Sequence, residues 1–372
     1  MQSFLPPDRL LLGPGPSPVP ARVLAALARP TIGHLDPRFI AMMDEVKELL
    51  RLAFRTGHPL TLPVSAPGSA GMETAFVNLV EPGDTVIVCR NGVFGGRMRE
   101  NVVRIGANAV MVDDPFGQPV DPDKVQAALR ANPGAKALAF VHAETSTGVA
   151  SDAATLCRLA REHGALSIVD AVTSLGGSPL EVDGWGIDAV YSGSQKCLSA
   201  PPGLSPVSFS EAAVAAIKAR RTPVQSWFLD LTLVMGYWQG EGARAYHHTA
   251  PINMLYALHE ALLALREEGL EAAWARHRAH HLRLRDGLEA LGLSLPVAPA
   301  VRLPQLNAVA VPAGVDEAAV RRTLLDRHGI EIGAGLGELA GKIWRIGLMG
   351  HGSTPENVDR VVAAFGEVLA RG

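Results

Sequence analysis

Between Pro20 and about Thr249 the chain alternates short apolar runs with amphipathic stretches, and this pattern most constrains its fold. Runs of strand length and character stand at 85–89, 109–112, 137–142, 165–170, 188–192 and 204–208. Stretches with helical periodicity separate most of them, at 71–79, 95–105, 121–131, 152–163 and 211–219. The pattern predicts an α/β sheet covered by helices on both faces. In open sheets of this kind ligands bind beyond the strand ends, and polar residues recur there.

At 372 residues the chain is too long for one ordinary core, so two parts sharing a cleft are expected. After Thr249 the character changes to long helical patterns at 252–268 and 270–291. A strand at 308–311, a helix at 316–328, a strand at 343–348 and a last helix opening at Ser353-Thr-Pro-Glu356 follow. The expected division is an arm at 1–20, a large unit at 21–250 and a small unit at 251–372. Within the arm, Leu12-Gly-Pro-Gly-Pro-Ser17 is too rich in Gly and Pro for helix or strand. It is either a surface lead-in or a stiff arm laid over a cleft.

With 48% apolar residues and a net charge of −3, the chain has neither a basic stripe nor an acidic tail, which argues against nucleic acid or a membrane surface as partner. Its apolar runs are far too short to span a bilayer. No basic start precedes an apolar core, and Ala370-Arg-Gly372 is no peroxisomal ending, so the expected location is cytoplasmic. Three cysteines, Cys89, Cys157 and Cys197, lack metal-ligand spacing and fit a reducing compartment.

The run Asp188-Ala-Val-Tyr-Ser-Gly-Ser-Gln-Lys196 carries the chemistry. A short strand opens into small polar residues and delivers one lysine. An amine in a confined, partly desolvated pocket loses its proton more easily and becomes a nucleophile, able to anchor an aldehyde cofactor such as pyridoxal phosphate. Pro67-Gly-Ser-Ala-Gly-Met-Glu73 enters a helix and is either a plain turn or a source of free N–H groups for a phosphate. Asp170 ends an apolar strand, where an unpaired charge is costly, so it either caps the next segment or faces a cation. Opposite a pyridinium nitrogen it would keep the ring protonated and electron-accepting. In Asn91-Gly-Val-Phe-Gly-Gly-Arg97, Phe94 is either a core residue or a face for a flat ring. Adjacent histidines in Tyr246-His-His-Thr249 diverge and make no metal site without a third ligand.

Several spaced motifs agree in order: Gly-Pro-Gly-Pro-Ser17, Gly68-Ser69, Asn91 to Arg97, Glu144-Thr-Ser-Thr-Gly148, Val169-Asp170-Ala-Val172, Ser192-Gly-Ser-Gln-Lys196, Tyr246-His-His-Thr249 and Trp344-Arg-Ile-Gly347. With these the chain resembles the class V aminotransferases, in particular the alanine–glyoxylate and serine–glyoxylate group. The similarity runs from about Leu12 to the C-terminal helix. It implies the type I fold of pyridoxal-phosphate transferases, with a mostly parallel seven-stranded sheet between helices and a smaller C-terminal α+β domain. Lys196 would then bind the cofactor covalently and carry a proton between the substrate Cα and a cofactor carbon, with Asp170 on the pyridine nitrogen.

The resemblance further implies that Gly68, Ser69 and Gln195 hold the phosphate, that Val172 packs under the ring and that Thr145 stands near its phenolic oxygen. Phe94 occupies a position where relatives usually carry tryptophan, a smaller face without an indole N–H. Ser69 replaces a histidine found in some relatives. Arg345, with Gly15 of the arm, would bind the substrate and its α-carboxylate. Tyr246 and Thr249 match residues that reach the phosphate of a neighbouring subunit, which implies a homodimer with composite sites. Trp227, Phe228 and Trp238 lie in a stretch that looks like the family's subunit-crossing segment.

The expected reaction is a ping-pong transfer of an amino group from alanine or serine to glyoxylate or another small 2-oxo acid. Serine–pyruvate, aminoethylphosphonate and pyridoxamine transamination remain open. A desulfurase or lyase is disfavoured because Gln195 stands where those enzymes carry histidine. Gly333-Ala-Gly-Leu-Gly337 lacks the third glycine of a dinucleotide fingerprint.

Overall fold

A computed structural model describes residues 1–238 and 244–370, so the last two residues of the expected small unit lie outside the described residues. Seven strands form the large sheet: β1 (Leu60–Val64), β2 (Thr85–Arg90), β3 (Asn108–Asp113), β4 (Ala137–Val141), β5 (Leu166–Asp170), β6 (Ala189–Tyr191) and β7 (Ser205–Phe209). Their order across the sheet is β1-β7-β6-β5-β4-β2-β3. Neighbours from β6 to β3 are parallel, whereas β7 runs antiparallel to both β6 and β1. Pro63 cannot donate to a ladder, and its strand β1 accordingly stands at the sheet edge. The interior strand β4 is buried along its whole length, which is why it reads as an unbroken apolar run.

The helix Gly68–Leu79 begins three residues before the expected start, so Gly68 and Ser69 belong to its first turn rather than to a preceding loop. This helix crosses β6 and β7 closely. A Cβ on Gly71 would lie 1.9 Å from Ser205 Oγ and 3.3 Å from Tyr191 Cβ. Four α-helices were not anticipated, the short Ala21–Leu27 and Val182–Trp185 and two that build the core. Pro37–Phe54 is capped by Asp36, whose side chain accepts from the Arg38 N–H, and it buries Phe39, Met43, Val46, Leu50 and Phe54. Leu231–Trp238 buries Tyr237 and Trp238.

The small sheet has the order β8-β10-β9, all antiparallel, from β8 (Leu306–Ala310), β9 (Gly333–Ala334) and β10 (Ile343–Gly347). Its core joins Leu284 and Leu288 of the helix Leu270–Ala290 to Trp344, Ile346 and Phe365. As expected, Thr354 caps the last helix, Pro355–Leu369, by accepting from the Asn357 N–H. The helix Ile252–Glu268 sends Leu255, Leu258 and Leu262 into the core of the large sheet.

The arm is not a surface lead-in. Leu10–Leu11 pairs in parallel with Ile330–Glu331, and Leu12 is fully buried in the small core. From there the chain crosses to the end of β6. No helix among the described residues is long and apolar enough to cross a membrane.

Candidate active site

Beyond β6 the chain is pinned before it reaches the lysine. Ser192 N–H donates to Pro206 O at 2.7 Å, and Ser192 Oγ donates to Ala171 O at 3.0 Å. Ser194 Oγ donates to Pro201 O at 2.6 Å. Lys196 is half-buried, and its Nζ donates to the carbonyl of Pro14 in the arm. Gly15 has φ +98°, which demands glycine, and a Cβ there would lie 2.6 Å from Lys196 Nζ and displace the amine. Burial, reinforced by the charge of Arg345, pushes the amine down to about 8, against the opposing pull of Asp170. Near neutrality about a tenth of it is therefore free base. The adjacent Cys197 thiol is pushed up to about 12 by burial and is inert.

Asp170 ends β5 in register with Tyr191 of β6, one strand away from the lysine loop. Its Oδ1 accepts from the Val172 N–H at 2.9 Å, so it caps the following turn and still presents a second oxygen. Burial pushes the carboxyl up to about 7, although the Val172 bond and the Lys196 charge oppose this. The neighbouring Tyr191 hydroxyl is buried and held protonated by burial and by the Asp170 charge.

At the start of the helix Gly68–Leu79 the N–H groups of Gly68 and Ser69 have no acceptor within the helix. A Cβ on Gly68 would come within 3.4 Å of Ser192 O and Val172 Cγ2, so this helix end sits against the loop that carries the lysine. Gln195 has a buried side-chain oxygen without a hydrogen-bond partner. These free N–H groups suit a phosphate, to which Gln195 can offer only its Nε2 donor and not the unpartnered oxygen, while the amine and the carboxyl suit an aldehyde and a pyridine nitrogen. The residues present fit pyridoxal phosphate.

Arg345 comes from the central small strand β10 and is buried. Its Nε donates to Ala334 O at 2.6 Å and its Nη1 to Thr145 O at 3.1 Å, which leaves Nη2 uncommitted among the described residues. Burial pushes it down to about 10, against the attraction of Glu144. Thr145 Oγ1 bonds Thr173 Oγ1. Phe94 is half-buried in the first turn of the helix Val93–Ile105, and the Arg97 guanidinium lies 4.7 Å above its ring. Gly15 thus touches Lys196, Gly68 lies against Val172 and the lysine loop, Asp170 caps Val172, Arg345 bonds Thr145, and the charges of Asp170 and Arg345 both act on the Lys196 amine, so these residues gather about the loop beyond β6.

Among the described residues of the single chain, Tyr246 and Thr249 make no hydrogen bond to this group. Tyr246 is 62% exposed, and its hydroxyl lies 3.4 Å from Thr249 Oγ1. His247 and His248 contact each other through their Nδ1 atoms at 2.7 Å, and Trp227 stacks on His247 at 4.5 Å. Among the described residues no cluster of three or more His, Cys, Asp or Glu is arranged for a metal ion.

Within the motif Glu144-Thr-Ser-Thr-Gly148 the sequence assigns Glu144 no role of its own, and the structure gives it one. Glu144 is fully buried and bonds Ser146 N–H and Oγ through Oε1 and the Phe94 N–H through Oε2, so it ties the Phe94 turn to the strand end carrying Thr145. The available signal was Gly92, where a Cβ would lie 2.3 Å from Glu144 Cδ.

Residues 10–361 match the family model for class V aminotransferases. The alanine–glyoxylate aminotransferase of Callithrix jacchus is 43% identical over 98% of this chain and 88% of its own length. The structure of an alanine–glyoxylate aminotransferase from Nostoc sp. superposes with a TM-score of 0.97 at 47% identity, covering 99% of this chain and 97% of that one. The ureidoglycine–glyoxylate aminotransferase of Bacillus subtilis also superposes at 0.97, with 39% identity over 100% and 95% of the two chains.

Proposed function

The chain belongs to the class V aminotransferases, pyridoxal-phosphate enzymes acting on amino acids and 2-oxo acids, and we propose that it transfers the amino group of alanine or serine to glyoxylate. The observation that carries the proposal is that the Asp170 carboxyl and the Arg345 guanidinium, from the large and the small sheet, both act on the buried Lys196 amine.

The cofactor supplies an aldehyde that takes up the amino group and a protonated ring that accepts electrons. The chain's own residues do the rest. Gly68 and Ser69 N–H groups with the Gln195 amide would hold the phosphate, and Asp170 would keep the proton on the ring nitrogen. Val172 and Phe94 would pack against the ring, and Thr145 would serve its phenolic oxygen. Arg345 grips the substrate α-carboxylate, a task its planar fork suits, beside Gly15. That grip orients Cα toward Lys196, whose amine removes the Cα proton and returns it on the other side of the amino nitrogen.

Alanine is favoured as donor by the relatives at 43% and 47% identity, while the Bacillus subtilis relative, at 39%, supports a second reading with ureidoglycine. A donor panel decides. With cofactor-loaded protein, alanine or serine is expected to bleach the absorbance of the lysine-bound cofactor, and glyoxylate to restore it. The assignment falls if neither bleaches it, or if ureidoglycine gives a tenfold higher kcat/KM, a margin of about 1.4 kcal/mol in transition-state binding.

We further propose that the enzyme is a homodimer whose Tyr246 and Thr249 complete the partner's phosphate site. Support comes from Trp227, Phe228, Leu233 and Tyr246, large side chains left exposed on the single chain. Light scattering is expected to give twice the 39.2 kDa of one chain; an active monomer would refute the composite site.

A further inference from the structure

The arm segment 12–17 is fastened at one end to the Arg345 strand β10 and at the other to the lysine loop beyond β6. At one end the Leu12 N–H donates to Glu331 O at 2.9 Å, and the Gly347 N–H, two residues past Arg345, donates to Leu12 O at 2.8 Å. At the other end the Ser17 N–H donates to Gln195 O at 3.0 Å, and Ser17 Oγ donates to the carbonyl of Lys196 itself at 2.7 Å. Between these anchors the Pro14 carbonyl receives the lysine Nζ, and Gly15 presents bare backbone to the same amine.

We propose that the Pro14 carbonyl is the docking point that positions the Lys196 amine whenever the lysine is detached from the cofactor, on a strap tied to the Arg345 strand. This rests on the aminotransfer function proposed above. A detached lysine has four flexible carbons and would otherwise wander among many rotamers. Resting one N–H on a fixed acceptor leaves the lone pair of the neutral amine free. A proton leaving the substrate Cα would go to that lone pair and later pass to the cofactor carbon on the other side of the amino nitrogen, while the N–H held by Pro14 stays in place. Because Leu12 is held by Gly347, the docking point keeps its register with the arginine that grips the carboxylate.

The charged and titratable groups acting on the amine are Arg345, Cys197, Asp170 and Arg97. Against that background the carbonyl favours the ammonium form, since it is a stronger acceptor for a charged donor. Losing it has two effects of opposite direction. The amine's titration moves to lower pH, which raises the free-base fraction at neutrality, yet proton transfer slows because the base is no longer aimed.

Gly15→Ala sets a methyl where Nζ rests, and Ser17→Ala releases the strap from the lysine backbone in case the first variant fails to fold. In the cofactor-free chain, labelling of Lys196 by acetic anhydride across pH, followed by peptide mass spectrometry, is expected to show its midpoint lowered by about half a unit to one unit in both variants. In the loaded enzyme, the half-reaction with protiated and Cα-deuterated alanine is expected to slow about a hundredfold for Gly15→Ala and about tenfold for Ser17→Ala. The isotope effect should rise, cofactor affinity should stay near wild type, and Ser17→Thr should restore both rate and midpoint. An unchanged labelling midpoint, or a rate loss matched by lost cofactor affinity, overturns the docking role. The labelling readout involves no transamination, so it fails independently of the donor panel.

Discussion

Lys196→Ala is expected to lack the absorbance of lysine-bound cofactor and to lose turnover by at least about a thousandfold, the scale set by removing a general base from its reacting carbon. Lys196→Arg should be nearly as inactive, although it keeps the positive charge, because a guanidinium does not deprotonate in a protein. The pair separates proton transfer from electrostatics. Neither defect should come from unfolding. The amine is depressed in the folded chain to about 8 from an ordinary value of 10.5, so below about pH 8 the folded state carries a penalty for keeping it charged. Removing the amine lifts that penalty, and the cofactor-free alanine variant should melt no lower than wild type at pH 7. Near-normal turnover in either variant, measured with the donor that bleaches the wild type, would remove Lys196 from the centre of the reaction.

How legible the site was depended on whether the determining contact was local. Lys196 and Asp170 stood out because a charged group at the end of an apolar strand breaks the local pattern, and β5 and β6 proved to be neighbours with Asp170 in register with Tyr191. Thr145 and Arg345 are 200 residues apart, and their bond is set by the seating of the small sheet on the large one, which no window of sequence contains. The start of the helix Gly68–Leu79 was misplaced because Gly and Ser read as turn residues. What holds them helical is the close crossing at Gly71. The helix Pro37–Phe54 carried its signals, an Asp-Pro start and apolar residues at Phe39, Met43, Val46 and Leu50, but no strand precedes it in the large sheet to mark an α/β unit. Leu231–Trp238 is apolar nearly all round and shows no period. The arm was ambiguous for a plainer reason. Gly and Pro exclude regular structure without saying what the chain touches instead, and here it touches the lysine.

Asp170→Asn is expected to separate catalysis from stability in the same way but with the sign reversed across pH. The amide keeps the shape, and its Oδ1 can still accept from the Val172 N–H, yet it cannot hold a positive charge on a ring nitrogen. Loss of that fixed charge from a buried position should slow the half-reaction about a thousandfold while the cofactor still attaches to Lys196. The stability consequence follows from the carboxyl being raised to about 7 from 3.8 by burial. Between about pH 4 and pH 7 the folded cofactor-free chain retains a proton that the unfolded chain has released, so its stability declines as pH rises through that window and stays reduced above it. Asparagine has no proton to lose. The cofactor-free variant should therefore melt a few degrees above wild type at pH 8 and match it near pH 4. A cation bound opposite Asp170 reverses the balance by stabilising the carboxylate, so loading the cofactor should raise the melting temperature of wild type more than that of the variant. Equal gains on loading, or a half-reaction within tenfold of wild type, would show that Asp170 caps its turn and does no more.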